Sequence, residues 1–252
     1  MTEKIQIQGP HRLRGLLQKP GADYCGPLVI LMHGFMASKK MEPLKSIAAE
    51  LERRGIASLR FDFDGHGQSE GRFRDMTVLT ELDDARAVLD YVRGQDAFSC
   101  VALAGHSQGG VVAGMIAGER GTEIRALVQL SPAAVLKDDA LQGVLMGKHY
   151  DPANPPDTLR VLLHRVGKGY FLAAQTLPIY EQSSRYKGPV LLIHGTQDRI
   201  VPCSYSEKYH QLYAQSRLHL YPGENHMLSK CRKEIVRETA DFLCMHLKNN
   251  KE

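Results

Sequence analysis

Four stretches of this chain are apolar almost without interruption: Leu28-Val29-Ile30-Leu31-Met32, Val101-Ala102-Leu103-Ala104-Gly105, Ala126-Leu127-Val128-Gln129-Leu130 and Val190-Leu191-Leu192-Ile193. A strand without a polar face must be covered on both sides, the condition met in parallel sheets sandwiched by helices. Segments of helical period lie between and after these runs. Residues 41–54 place Leu44, Ile47, Ala48 and Leu51 on one face, with Gly55 as a stop; residues 77–92 do the same with Val78, Leu82, Ala85, Leu89 and Val92. Residues 109–118, 204–214 and 230–247 also read as helices, and 58–63 and 218–221 as strands. Strand and helix alternating over short connections predict an α/β fold with a mostly parallel central sheet. The period-two run Ile5-Gln6-Ile7-Gln8, then Gly9-Pro10 and a second short run through Leu16, predicts an N-terminal hairpin.

One region breaks the alternation. Residues 132–188 carry Pro152, Pro155, Pro156 and Pro178 and the aromatics Tyr150, Tyr170, Phe171 and Tyr180, with no strong strand. An insertion after the C-terminal end of a sheet strand lies over the crevice where ligands bind. The expectation is one domain over residues 1–252 with an inserted cap at 132–188, ending in a frayed polar tail, Lys248-Asn249-Asn250-Lys251-Glu252.

Charge and cysteine usage narrow the function. The 32 basic and 28 acidic residues leave a net charge of +4, scattered without a basic stripe, so no nucleic-acid partner is expected. No apolar run reaches membrane-spanning length, and MTEKIQIQGPHRLRG lacks a secretory h-region, which predicts a cytoplasmic protein without a membrane partner. Cys25, Cys100, Cys203, Cys231 and Cys244 are far apart and odd in number. They are expected to be free thiols, mostly buried, with no metal site. A homodimer is compatible with all of this.

The chemistry is concentrated in Gly105-His106-Ser107-Gln108-Gly109, a G-x-S-x-G string set between a buried strand and a helix. In that context the serine sits at the apex of a sharp turn, clear of the sheet, with the next backbone N–H aimed at the reacting atom. The bland alternative is a turn that happens to contain a hydroxyl. A serine needs a base, and the base needs a carboxylate. His226 follows a late strand in Tyr221-Pro222-Gly223-Glu224-Asn225-His226, and Asp198 follows the strand 190–193. Each alone could be an ordinary loop residue. Serine, acid and histidine in this order, each at a strand end, point to a catalytic set of Ser107, Asp198 and His226 that uses no cofactor. The backbone N–H groups of Phe35, after His33-Gly34, and of Gln108 are the expected oxyanion donors. His33, His106 and His194 are expected to pack around the site rather than act in it. The loop Asp62-Phe63-Asp64-Gly65-His66-Gly67 lacks dinucleotide glycine spacing and is expected to be structural.

These motifs together resemble the α/β-hydrolase superfamily over roughly residues 1–247, and more narrowly the bacterial cinnamoyl (feruloyl) esterases. The resemblance is carried by His33-Gly34-Phe35, by Arg60-Phe61-Asp62-Phe63-Asp64-Gly65-His66-Gly67-Gln68-Ser69-Glu70-Gly71, by the serine pentapeptide, and by His194-Gly195-Thr196-Gln197-Asp198. Ser131-Pro132-Ala133-Ala134 and Leu177-Pro178-Ile179-Tyr180-Glu181 are the more specific part. It implies an α/β-hydrolase fold and a serine carboxylesterase acting, through an acyl-enzyme, on small esters of ferulic, caffeic, p-coumaric and chlorogenic acids. It also implies that Asp139 and Tyr170 of the cap contact the aromatic ring. The segment Gly143-Val144-Leu145-Met146-Gly147 is apolar where some relatives carry a polar ring contact. The string Gly65-His66-Gly67-Gln68-Ser69-Glu70-Gly71 also resembles monoacylglycerol lipases, and the alternative function is a monoacylglycerol lipase or a general short-chain carboxylesterase with the same three catalytic residues. A binding protein built on the same fold is a third alternative, disfavoured because all three catalytic residue types are present.

Overall fold

The computed structural model describes residues 1–248, and every structural statement below refers to them; Asn249–Glu252, most of the expected tail, lie outside the described residues. Strands β1 (Thr2–Gln8) and β2 (Arg12–Gln18) form the N-terminal hairpin. Then follow β3 (Gly26–Met32), α1 (Leu44–Arg53), β4 (Ala57–Phe61), α2 (Val78–Arg93), β5 (Phe98–His106), α3 (Gln108–Arg120) and β6 (Ile124–Leu130). Residues 132–188 hold α4 (Val135–Gln142), β7 (Val144–Leu145), β8 (Lys148–His149), β9 (Thr158–Val161), β10 (His164–Gly167), α5 (Lys168–Thr176) and α6 (Ile179–Ser183). The chain closes with β11 (Val190–Gly195), α7 (Ser204–Leu212), β12 (Ser216–Tyr221) and α8 (Arg232–Lys248).

The main sheet has eight strands in the order β1-β2-β4-β3-β5-β6-β11-β12. The strands from β4 to β12 in that order pair in parallel, and β2 runs antiparallel to both of its neighbours. Alternation along the central strands divides the core. Leu28, Ile30, Leu103 and Leu127 pack with α2 and α3 on one face, and Val29, Leu31, Ala102 and Val128 pack with α1 and α8 on the other. From β3 the chain crosses first to β4 on one side, then returns to β5 on the other. That reversal opens a crevice at the C-terminal ends of β3 and β5.

Two expectations need correction. The insertion does contain strands: β7 pairs with β8 and β9 with β10, both antiparallel. At two to four residues each, they are too short to leave a periodic pattern. The cysteines are free, but none is fully buried; Cys25 is exposed and the others are half-buried. Cys100, Cys231 and Cys244 sit at the rim of the α1/α8 core rather than inside it.

The loop after β4 is tied down. Asp62 accepts hydrogen bonds from the N–H groups of Lys39 and Gln68, at 2.7 and 2.8 Å, and pairs with the buried Lys39 ammonium. A buried carboxylate with this many donors is satisfied, and it locks the loops after β3 and β4 together. No helix is long and apolar enough to cross a membrane.

Candidate active site

Ser107 stands between β5 and α3 with φ 57° and ψ −124°, a conformation that costs a non-glycine residue about 1–3 kcal/mol. The crowding around the turn explains its glycines. A Cβ on Gly109 would lie 2.3 Å from the His33 carbonyl oxygen, and one on Gly34 would lie 2.8 Å from Ser107 Cβ. The loop after β3 is therefore pressed directly against the Ser107 turn.

The structure brings Ser107, His226 and Asp198 into one hydrogen-bonded chain. Ser107 Oγ is 2.9 Å from His226 Nε2, and His226 Nδ1 is 2.7 Å from Asp198 Oδ2. Asp198 Oδ1 accepts the N–H groups of Ile200 and Val201, each at 2.9 Å, and Oδ2 also meets His194 Nε2 at 3.1 Å. Burial works to raise the Asp198 carboxyl, but hydrogen bonds from His194 and His226 outweigh it and hold the group well below the usual carboxylate range. The carboxylate is thus ionised at physiological pH. Phe35 and Gln108 line one cavity with Ser107, and neither backbone N–H makes a turn or loop hydrogen bond to the main chain.

The other histidines frame this chain. His106 Nε2 meets the His226 carbonyl oxygen at 2.8 Å and so fixes the loop carrying His226. The Phe63 N–H donates to His33 Nε2 at 3.1 Å, so His33 Nδ1 carries the proton and donates to the Gly34 oxygen at 2.9 Å. Burial lowers His106 to about 4; burial and the neighbouring His66 lower His33 to about 3. Both are neutral at physiological pH and act as fixed struts.

Two cavities meet at Ser107 and Phe35. One, of about 260 Å³, runs under the insertion and is bounded by Gln108, Asp139, Leu145, Tyr150, Tyr170 and Phe171. The other, of about 420 Å³, opens on the side of His226. Asp139 is half-buried, and burial followed by the Asp138 charge raises its carboxyl. Tyr170 is 3% exposed, and its hydroxyl is already engaged, donating to Gln108 Oε1 at 2.7 Å. Its ring forms cavity wall and packs 5.4 Å from that of Phe35. Val144, Leu145 and Met146 supply an apolar side to the same cavity.

The residue that sequence reasoning missed is Glu81. Gln108 Nε2 donates to Glu81 Oε2 at 2.8 Å, so Tyr170, Gln108 and Glu81 form a buried chain from the insertion to α2. A signal was available, because Glu81 lies one residue before Leu82 on the apolar face of α2, where a charged side chain is out of place. Burial, against the Gln108 hydrogen bond and with help from Asp84, raises Glu81 to about 8. The folded protein therefore binds a proton here that the unfolded chain, with an ordinary value of 4.5, releases. This stabilisation is complete below about pH 4.5 and is lost as pH rises through about 8. Glu81→Gln, which mimics the protonated acid, is expected to flatten the fall in melting temperature across that window. Thermal melts at pH 5, 7 and 9 check it; parallel curves for both proteins would refute it.

Strand, sharp turn, helix and late-chain histidine together define an α/β hydrolase, and the comparisons agree. Residues 26–150 match the family described as serine aminopeptidase, S33, and residues 152–230 match the alpha/beta hydrolase fold family. Est1E from Butyrivibrio proteoclasticus, solved with ferulic acid bound, is 32% identical at a TM-score of 0.92, covering 96% of this chain and 98% of that one. Protein ABHD12B of Homo sapiens is 26% identical over 189 residues, 74% of this chain but 49% of its own length, so this match spans about half of it. The monoacylglycerol lipase of Mycolicibacterium smegmatis is 22% identical over 254 residues, 87% of this chain and 89% of that protein. The chain belongs to the α/β-hydrolase family as a serine hydrolase. Within that family it resembles the bacterial cinnamoyl esterases.

Proposed function

We propose that the protein is a carboxylic-ester hydrolase whose acyl group is a hydroxylated phenylacrylic acid such as ferulate, caffeate or p-coumarate. The observation that carries this is the cavity beside Ser107, walled by the rings of Tyr150, Tyr170 and Phe171 and bearing one carboxyl, Asp139, as a ring-hydroxyl partner. Aromatic walls suit a flat conjugated acid, and a few polar groups, here Asp139 with Gln108 and Arg199, give orientation. The likeness to Est1E, which holds ferulic acid, supports the same acyl class.

In the mechanism, Ser107 Oγ attacks the ester carbonyl as His226 Nε2 takes its proton, and the oxyanion rests on the Phe35 and Gln108 N–H groups. His226 returns the proton to the leaving alcohol oxygen as the C–O bond breaks. Water then adds to the acyl-enzyme with His226 as base, releasing the acid and restoring Ser107. The substrate is a small soluble ester, and no metal or cofactor takes part.

A second acyl class, a fatty acid carried as its monoacylglycerol, is favoured by the apolar side that Val144, Leu145 and Met146 give the same cavity. Holding the alcohol constant separates the two. For methyl ferulate, methyl p-coumarate and methyl octanoate, kcat/KM is expected to be at least about tenfold higher for the two aromatic esters. Preference for octanoate would overturn the phenylacrylic assignment.

A further inference from the structure

We infer that the alcohol half of the substrate is apolar, an alkyl or aryl chain rather than a sugar or a hydroxy acid. This rests on the ester-hydrolase assignment but not on the identity of the acyl group. His226 must reach the leaving oxygen to protonate it. His226 lines the 420 Å³ cavity and not the 260 Å³ one, whereas Gln108 lines only the latter. The acyl group therefore lies on the Gln108 side, and the alcohol leaves through the larger cavity.

The lining of that exit has one chemical character. Met36, Met41, Met146, Ile200 and Met227 surround it, and the turn between β9 and β10 brings Leu162 and Leu163 to its mouth. These two leucines are 73% and 89% exposed. Leu162 holds φ at +52°, a backbone conformation a leucine adopts only under strain. Together with Met41, Met146, Ile200 and Met227, each 39–47% exposed, they make a continuous apolar rim that a monomeric surface rarely shows without a use.

Few polar side chains besides the histidines beside Ser107 line this exit, chiefly Glu42 and His164. Glu42 Oε2 accepts the Ser46 N–H, His164 packs on Phe73 at 4.4 Å, and no lysine, arginine, asparagine or glutamine lines the cavity. A polyhydroxylated alcohol would leave hydroxyls unpaired there. A hydroxy acid such as quinate would bring a carboxylate to Glu42 with no cation beside it. Chlorogenate, a quinate ester, is accordingly placed among the poor substrates.

The test varies the alcohol at constant acyl group: methyl, butyl and octyl caffeate, with chlorogenate as the polar member. From methyl to octyl, kcat/KM is expected to rise about tenfold or more, mainly through KM, because each buried methylene adds transfer free energy. Chlorogenate is expected at or below the methyl ester. In Leu162→Asn/Leu163→Ser, where asparagine accepts the left-handed turn, the octyl-to-methyl ratio should fall several-fold. A flat alkyl series, or chlorogenate as the best ester, would overturn the inference. If the methyl-ester panel instead favours octanoate, the same alcohol series is run on octanoate esters, so failure of the acyl assignment and failure of this one are read separately.

Discussion

Ser107→Ala is expected to lower the hydrolysis of methyl ferulate about a millionfold while leaving the melting temperature within a few degrees of the parent. The size follows from what remains. Without Oγ no acyl-enzyme can form, and oxyanion donors and substrate binding alone supply about a thousand- to ten-thousandfold over water. The small effect on stability follows from the turn itself. The Ser107 side chain caps no N–H of α3, and its one hydrogen bond, 2.9 Å to His226 Nε2, lies at the cavity surface. The strained backbone is held by Gly34, Gly109 and the main-chain bond from the Ser107 N–H to the Leu130 oxygen, none of which the substitution touches. Initial rates and a thermal melt on the same preparation check both halves, with ferulate binding by calorimetry showing that the cavity is intact. Residual activity within about tenfold of the parent would mean that another group attacks the ester.

The elements legible in the sequence are those fixed by local physics. The apolar runs at 28–32 and 190–193 and the helical faces of α1 and α2 declare their burial through composition and period alone. Ser107 was legible because its turn needs small neighbours in sequence, and Asp198 and His226 because each follows a strand. The pairings were not legible. That β4 lies between β2 and β3 depends on crossovers that leave no trace in any single segment. Strand β5 begins at Phe98, before its apolar run, because Gly26 pairs with Phe98 beyond the buried zone. Ring contacts in the insertion were named by likeness to a family, and there the structure adds something sequence spacing could not supply. The Tyr170 hydroxyl is spent on Gln108, 62 residues away, so that residue offers the cavity its ring rather than its oxygen.

The second large effect is expected for Asp198→Asn, which should lower kcat about ten-thousandfold with little change in KM. One carboxylate here satisfies four donors: the Ile200 and Val201 N–H groups on Oδ1, and His226 Nδ1 and His194 Nε2 on Oδ2. An asparagine cannot serve both sides. If its amide oxygen keeps the two backbone N–H groups, its NH₂ faces His226 Nδ1, which must then be the unprotonated nitrogen. The ring proton moves to Nε2 and points at Ser107, where a base is needed, the fault that makes such a change severe. His194 cannot follow suit cheaply, because its Nε2 also bonds the Val201 oxygen at 2.9 Å and its Nδ1 meets Ser206 Oγ at 2.7 Å. If the amide flips instead, two buried N–H groups lose their acceptor and stability falls. Steady-state kinetics with a thermal melt distinguish these outcomes, since the first lowers kcat alone and the second lowers the melting temperature as well. A loss below tenfold with an unchanged melt would show that His226 keeps its tautomer without Asp198, and the carboxylate would then be a structural anchor for the loop at Ile200 and Val201 rather than the partner of the base.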